Sequence, residues 1–317
     1  MWRRLLVSLA IGAASTVLCW SFLHKFQLGG FDFNWALRSA RDLVSGHNPY
    51  DYPFDKTIPY PLTAAILGLP FLWVKPELGG ALFFGVSSAL LALGLTRSGY
   101  TRLLIFLAYP YWAAMMTAQW SPLIVAGALF SWLLPVTMVK PQGGVPLFFT
   151  YVTRRGFIVC LIFGALSLAV MPSWPQQWLS QIRHYEYYVP LLVLPGPALL
   201  LSIWRRRDTD SHLLLLSSIM PQRWFYDSFI LWLIPKERRE ILGTVLLSWG
   251  AGLWRWYYMP RSWDEVGFSV VLWIYVPMLA IVLLRGMELA KPSLVSKPAS
   301  AGSPEVKEAF HSEHRWR

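Results

Sequence analysis

Apolar runs follow one another along most of this chain, separated by short polar breaks. Runs close to the roughly 20 residues that an α-helix needs to cross a bilayer core fall at 5–24, 79–96, 103–118, 121–138, 156–172, 188–204, 241–258 and 266–284. Shorter pieces, cut by proline, fall at 62–74, 143–152, 212–221 and 227–235. The pattern predicts an all-α protein, a polytopic transmembrane helical bundle with about 10–12 membrane segments. The two short pieces at 212–221 and 227–235 read as a hairpin that breaks at Pro221, with Gln222 to Asp227 at its tip. Non-helical backbone at membrane depth is tolerated only where protein buries it or where it lines a wet cavity, so this tip is a candidate wall of a site.

The longest polar interruption is FDFNWALRSARDLVSGHNPYDYPFDKTIPYPL, from Phe31 to Leu62. Within it, Asn34 to Ser45 places Trp35, Leu37, Ala40, Leu43 and Val44 on one side and Arg38, Arg41 and Asp42 on the other. That spacing predicts an amphipathic helix lying in the membrane interface and ended by Gly46. The domain reading is a transmembrane domain over 1–289, with an external loop at 27–61, followed by a tail at 290–317. The tail is rich in Ser, Pro, Ala, Lys and Glu, and it is predicted to be a disordered cytoplasmic segment.

Composition sharpens the class. The chain is 55% hydrophobic, 16% aromatic and only 14% charged, with a mean hydropathy of +0.43, against about 25% charged for a soluble domain. The net charge of +11 does not point to nucleic acid, because no basic stripe with interleaved aromatics runs through the chain. The cations come instead in clusters between apolar runs: Arg3 and Arg4, Arg154 and Arg155, Arg205 to Arg207, and Lys236 with Arg238 and Arg239. This is the positive-inside signature of cytoplasmic loops, and it predicts a multi-pass protein of the inner (plasma) membrane with both termini inside. One conflict stands, since the same assignment puts Arg97 and Arg102 outside. Cys19 and Cys160 lie inside apolar runs and build neither a metal site nor a disulfide framework. The first run is read as an uncleaved helix rather than a removed signal peptide.

The candidate chemistry gathers on the external side. Asp32 sits between Phe31 and Phe33, where desolvation favours proton uptake and makes the carboxylate a candidate base. The competing reading is a helix-capping aspartate. Lys140, Arg223 and Arg261 are candidate site cations on this side. Against this, Lys140 reads as a lysine snorkelling to headgroups, Arg223 as a structural partner of Asp227, and Arg261 as a solvated cation. His184 and Glu186, beside tyrosines, are placed to contact a sugar. Asp51 reads as a loop-stabilising Asx turn. No metal is required by any spacing.

Several short motifs occur in order: Asp32 before the amphipathic helix and Gly46, then Asn48-Pro49-Tyr50-Asp51, Tyr60-Pro61, Tyr109-Pro110, Gln119-Trp120-Ser121-Pro122 and Val139-Lys140-Pro141-Gln142. Over roughly 1–240 this order resembles the C-fold (GT-C) integral membrane glycosyltransferases. It is most similar to glycosyltransferase family 87, the polyprenyl-phosphate-mannose-dependent mannosyltransferases. Departures are Leu62 in place of a second proline, Ala118 where a glycine is usual, and a hairpin tip with Pro221 and Trp224 but no histidine.

The resemblance implies an enzyme without a cofactor that moves mannose or another hexose from a polyprenyl-phosphate sugar donor. The acceptor is a glycolipid or polysaccharide at the outer face, and the anomeric centre is inverted. It implies Asp32 as general base, donor-phosphate contacts from Lys140, Arg223 and Arg261, and substrate contacts from Tyr50, Asp51, Tyr60, Gln119, Trp224, Tyr226, Asp227 and His184. Two rivals stand beside it: a flippase or transporter of lipid-linked sugars, and a non-catalytic membrane subunit of the same fold.

Overall fold

The computed structural model describes residues 1–51, 60–182, 185–259 and 262–289. His184, Arg261 and the expected tail at 290–317 lie outside the described residues, as does 52–59 of the external loop. Among the described residues the fold is all helical and holds no strand, apart from a single antiparallel bridge between Tyr188 and Gln222.

The chain opens with α1 (Trp2–Lys25), a 3-10 turn at Phe31–Phe33, α2 (Asn34–Val44) and α3 (Leu62–Gly68). Next come α4 (Pro76–Leu95), a 3-10 segment at Tyr100–Leu107, α5 (Tyr109–Met116), α6 (Ser121–Leu129) and a second 3-10 segment at Ser131–Met138. The middle holds α7 (Pro141–Tyr151), α8 (Arg154–Val170) and α9 (Trp174–Ile182). After a 3-10 segment at Gly196–Arg205, α10 (Thr209–Ile219) and the 3-10 segment Phe225–Leu233 form the hairpin. The last helices are α11 (Arg238–Tyr258), α12 (Trp263–Val270) and α13 (Val276–Leu289), the last two joined by a π-turn at Val271–Tyr275.

Among the described residues three helical stretches are long and apolar enough to cross a membrane: Trp2–Lys25, Pro76–Leu95 and Trp263–Arg285. A fourth span is available if α8 and α9, bent by 92° at their junction, are taken together. Phe157, Ile158, Leu161, Ile162 and Leu166 of α8 are exposed, an apolar face that lipid rather than water suits. These features define a multi-pass membrane protein.

The most extensive packing is between α1 and α4, and glycine makes it possible. Gly12 and Gly85 face each other so closely that a Cβ at Gly85 would meet the Gly12 carbonyl oxygen at 2.7 Å and collide with Thr16 Oγ1. Small residues let helix backbones approach in lipid, where no hydrophobic drive brings helices together.

The arginines collect at one end of this bundle. Arg4 donates to the Leu93 carbonyl at 3.1 Å, Arg97 to that of Leu129 at 3.2 Å, and Arg102 to those of Pro235 and Trp232. At the same end, Lys236 and Arg285 each meet Asp210 at 2.7 Å, and Arg285 also bonds Glu240.

This arrangement corrects two expectations. The 62–74 run is not a passage, because proline at 61, 70 and 76 limits it to the seven residues of α3 and one 3-10 turn, and α3 packs on α2. The 121–138 run, expected as one passage, is two antiparallel halves that break at Phe130, with Gly127 brought against the Leu133 carbonyl. The two changes offset each other, so Arg97 and Arg102 lie at the Arg4 end and the charge conflict disappears.

The amphipathic helix forms as α2, but its faces differ from those expected. Asp42 is buried and Val44 is 68% exposed, because the buried face is set by contact with α3 rather than by lipid. Its end is capped by Gly46 (φ +73°), with Gly46 N–H to Leu43 O at 3.2 Å and His47 N–H to Asp42 O at 2.8 Å. This is a Schellman pattern, which needs a left-handed residue at that point.

The α1–α4 contact yields a stability test. Gly85→Ala is expected to cost about 1–3 kcal/mol by overpacking and to lower the thermal unfolding midpoint in detergent. Gly243→Ala, in α11 with open space around its Cβ, is expected to leave the midpoint unchanged or raise it.

Candidate active site

Four pieces of chain meet at the end of the bundle opposite the arginines. The first carries Asp32. Gly29 (φ +59°) turns the chain after α1, and Asn34 Oδ1 accepts from Gly30 N–H at 2.8 Å. Phe33 is buried and stacks on Phe83 at 4.1 Å, which locks the turn from below. Asp32 N–H donates to the Thr117 carbonyl at 3.3 Å. The carboxylate makes no side-chain cap on α2, so the capping alternative does not describe it. It receives instead a long hydrogen bond from Tyr226 Oη to Oδ2, at 3.4 Å.

The second and third pieces supply a buried cation. Ala118 adopts φ +48° between α5 and α6, and this left-handed kink turns Gln119 into the protein, where it is fully buried. Lys140, immediately before Pro141 starts α7, is only 3% exposed. Its Nζ donates to Gln119 Oε1 at 3.0 Å and pairs with Asp227 Oδ1 at 2.7 Å. Both engage Lys140 in the interior, so it is not snorkelling to headgroups.

The fourth piece is the hairpin tip. Asp227 Oδ2 accepts from the Arg223 backbone N–H at 3.0 Å, and Ser121 Oγ donates to the Tyr226 carbonyl at 2.8 Å. The Tyr226 ring lies 4.4 Å from Lys140 Nζ. The pairing foreseen between the Arg223 and Asp227 side chains is therefore a backbone contact. The Arg223 guanidinium is stacked between Tyr185, at 4.4 Å, and Trp263, at 4.8 Å.

The remaining candidates support the walls. Tyr50 is buried and donates to the Tyr60 carbonyl at 2.9 Å, and Tyr60 packs between Trp35 and Trp120. Asp51 is exposed and accepts from Asn48 Nδ2 at 2.5 Å. The Asx turn expected at Asp51 begins instead at Asn48, whose Oδ1 accepts from Tyr50 N–H at 3.0 Å. Trp224 is set against Trp263 at 5.0 Å, with Arg255 over its ring at 4.5 Å. Arg255 and Trp263 were not foreseen, because their segments carry no motif of their own.

Beside the charged group lies a cavity of about 210 Å³, lined by Tyr60, Pro61, Pro141, Val145, Trp178 and Met220 among others. The lining is mostly apolar, with Gln142, Gln222, Tyr60, Tyr185 and Tyr187 as its polar members. The α9 side of the cavity is tied down through the loop after α2. Asn48 Nδ2 donates to Gln177 Oε1 at 3.0 Å, and Gln181 Nε2 donates to the Tyr50 carbonyl at 2.6 Å.

The electrostatics of Asp32 follow from these neighbours. Burial pushes its pKa up to about 6, and the carboxylate of Asp227 adds to the rise. Lys140, Arg223 and the Tyr226 hydrogen bond pull the other way without cancelling it. Asp32 is nonetheless only half-buried, so a ligand can reach it. A carboxylate of this kind can accept a proton near neutral pH, while Lys140 offers a fixed positive charge a short distance away. Among the described residues no three His, Cys, Asp or Glu side chains gather to hold a metal ion.

No family model, curated protein or solved structure matches this chain. Its chemistry is therefore argued from the site itself.

Two outcomes follow from the buried charges. Lys140→Met strands Asp227 without its cation and is expected to destabilise the protein by about 3–5 kcal/mol. Lys140→Met with Asp227→Asn is expected to recover much of that loss, a non-additivity that thermal unfolding reads directly. For Asp32 the raised pKa fixes the sign: the fold favours the neutral acid, a contribution lost as pH rises through about 6. Asp32→Asn is therefore expected to gain stability relative to wild type across that pH. A difference that does not change with pH would contradict this account.

Proposed function

We propose that this protein is a membrane glycosyltransferase of the C-fold type that transfers a hexose, mannose or a close analogue, from a polyprenyl-phosphate donor to a glycolipid or polysaccharide acceptor. The observation that carries the reading is the joining of Asp32, held at a pKa of about 6, to a buried Lys140–Asp227 pair beside an apolar cavity. Such a site suits a ligand that is part charge and part hydrocarbon.

In this reading the bundle crosses the inner (plasma) membrane about 10–12 times, counting its short and 3-10 segments, with the arginine end cytoplasmic. The Asp32 end then faces outward. The donor's chain lies toward the cavity between α7, α9 and the hairpin. Its phosphate approaches Lys140, which has two of its three N–H groups engaged by Gln119 and Asp227.

The acceptor hydroxyl gives its proton to the Asp32 carboxylate as its oxygen attacks the anomeric carbon. The bond from that carbon to the phosphate oxygen breaks, and the electron pair leaves with polyprenyl phosphate. Lys140 and Arg223 stabilise the charge that develops there. Attack opposite the leaving group inverts the anomeric centre. Tyr226 holds the base, and Gln119 fixes the ammonium.

The test is transfer of radiolabelled sugar from polyprenyl-phosphate mannose to a membrane lipid extract by the purified protein. Asp32→Asn and Asp32→Ala are expected to lose transfer by at least about 100-fold while retaining donor binding. Wild-type transfer is expected to decline as pH falls through about 6, because the base is then protonated. Absence of transfer from any polyprenyl-phosphate sugar would contradict the reading in favour of a transport or non-catalytic role.

A further inference from the structure

A row of stacked aromatic rings and arginines runs from the hairpin tip across the Asp32 end of the molecule. Its order is Tyr185, Arg223, Trp263, Trp224 and Arg255, with successive contacts of 4.4, 4.8, 5.0 and 4.5 Å when Arg223 is counted between Tyr185 and Trp263. Glu186 edges the row, its Oε2 accepting from Trp263 Nε1 at 2.6 Å. Four separate parts of the chain converge to build it. The Tyr188–Gln222 bridge, with backbone bonds of 2.9 and 2.8 Å, holds the 185–188 segment against the hairpin tip. The start of α12 brings Trp263, and the end of α11 brings Arg255.

We propose that this ladder is the carbohydrate-binding surface for the acceptor glycan, a role that rests on the transferase reading above and extends it. A pyranose ring presents an apolar C–H face and a rim of paired hydroxyls. Aromatic faces, whose quadrupole is negative, suit the C–H face. Planar guanidinium and carboxylate groups suit adjacent hydroxyls, because each offers two parallel hydrogen-bonding sites. The ladder interleaves these two kinds of group, with Trp263 and Trp224 adjacent between the two arginines.

The groups remain accessible in the pattern such a ligand needs. Tyr185, Arg223, Trp224 and Trp263 are half-buried, while Arg255 and Glu186 are exposed. Rings that serve only as an interfacial belt need no charged planes between them. Stacking also fixes the guanidinium orientation before any ligand arrives, which lowers the ordering cost of binding. The row is joined to the reaction centre through Arg223, whose backbone N–H holds Asp227 at 3.0 Å. A glycan lying on the ladder therefore ends beside Asp32.

The test uses the full chain in lipid nanodiscs, titrated calorimetrically with α-1,6-mannotriose, maltotriose and cellotriose and no donor. Wild type is expected to bind at least one of them at millimolar concentration or below. Trp263→Ala and Arg255→Ala are each expected to weaken that binding by about tenfold or more, as truncation of aromatic and arginine anchors does. Trp263→Phe is expected to retain most of it. Thermal unfolding of the same samples identifies a variant that has merely failed to fold. For such a variant Arg255→Lys, which keeps the charge but loses the plane, is the replacement and is also expected to bind weakly.

In the transfer assay Arg255→Ala, which removes a group that stacks on Trp224 and not on Arg223, is expected to raise the acceptor KM by the same factor and leave the donor KM unchanged. Binding of none of the trisaccharides by wild type overturns the proposal, as does equal binding by folded ladder variants. Trisaccharide binding that the ladder variants lose, with no transfer by wild type, would sustain the carbohydrate surface and sink the transferase. Transfer with an unchanged acceptor KM would do the reverse.

Discussion

The interaction on which the site depends is the buried pair of Lys140 and Asp227, 2.7 Å apart. It joins the turn before α7 to the hairpin tip, and through Gln119 it reaches the start of α6. Removing two charges from water costs several kcal/mol each, and their attraction returns that only with good geometry and further hydrogen bonds. Here the further bonds come from Gln119 and from the Arg223 backbone. Such a pair adds little to stability, but it leaves few arrangements of the surrounding backbone open. Asp32 lies beside this arrangement, and its pKa is raised by burial against the pull of Lys140.

The two ends of the bundle use charge in opposite ways. At the arginine end, Lys236, Arg285 and Glu240 reach solvent in part around a buried Asp210. There they fasten α10, α11 and α13 together where water screens them. At the Asp32 end the charges are fewer and deeper, and an apolar cavity adjoins them. The first arrangement holds helices; the second suits a ligand with both a charged and a hydrocarbon part. A fold that raises the Asp32 pKa to about 6, and so works against its ionised form, fits a residue kept for its chemistry rather than for the fold.

Much of this was legible in the sequence, for identifiable reasons. Hydropathy showed the helical membrane class, and Pro221 in a segment too short for two full crossings showed the hairpin. Asp32, Lys140, Arg223, Tyr226 and Asp227 stood out as polar residues among apolar neighbours, Gln119 entered only through the family resemblance, and the structure brings all six together. The passages between 62 and 138 did not read correctly. A run of apolar residues gives length, but Phe130, where the chain reverses, carries no turn residue to mark it. The buried face of α2 was misjudged at Asp42 and Val44 because the pattern was read against lipid, whereas α3 covers that helix. Trp263 and Arg255 were invisible because their partnership is made by tertiary contact alone.

The most direct measurement is photo-crosslinking of the purified protein with a polyprenyl-phosphate analogue that carries a diazirine near the phosphate, followed by peptide mapping. The account predicts labelling concentrated in three places: 140–145 at the start of α7, 178–187 after α9, and 220–224 at the hairpin. This labelling should be competed by polyprenyl phosphate and not by neutral polyprenol, and weakened by Lys140→Met in protein that remains folded. Labelling spread along the exposed faces of α1 and α8, or competed equally by the neutral alcohol, would contradict it.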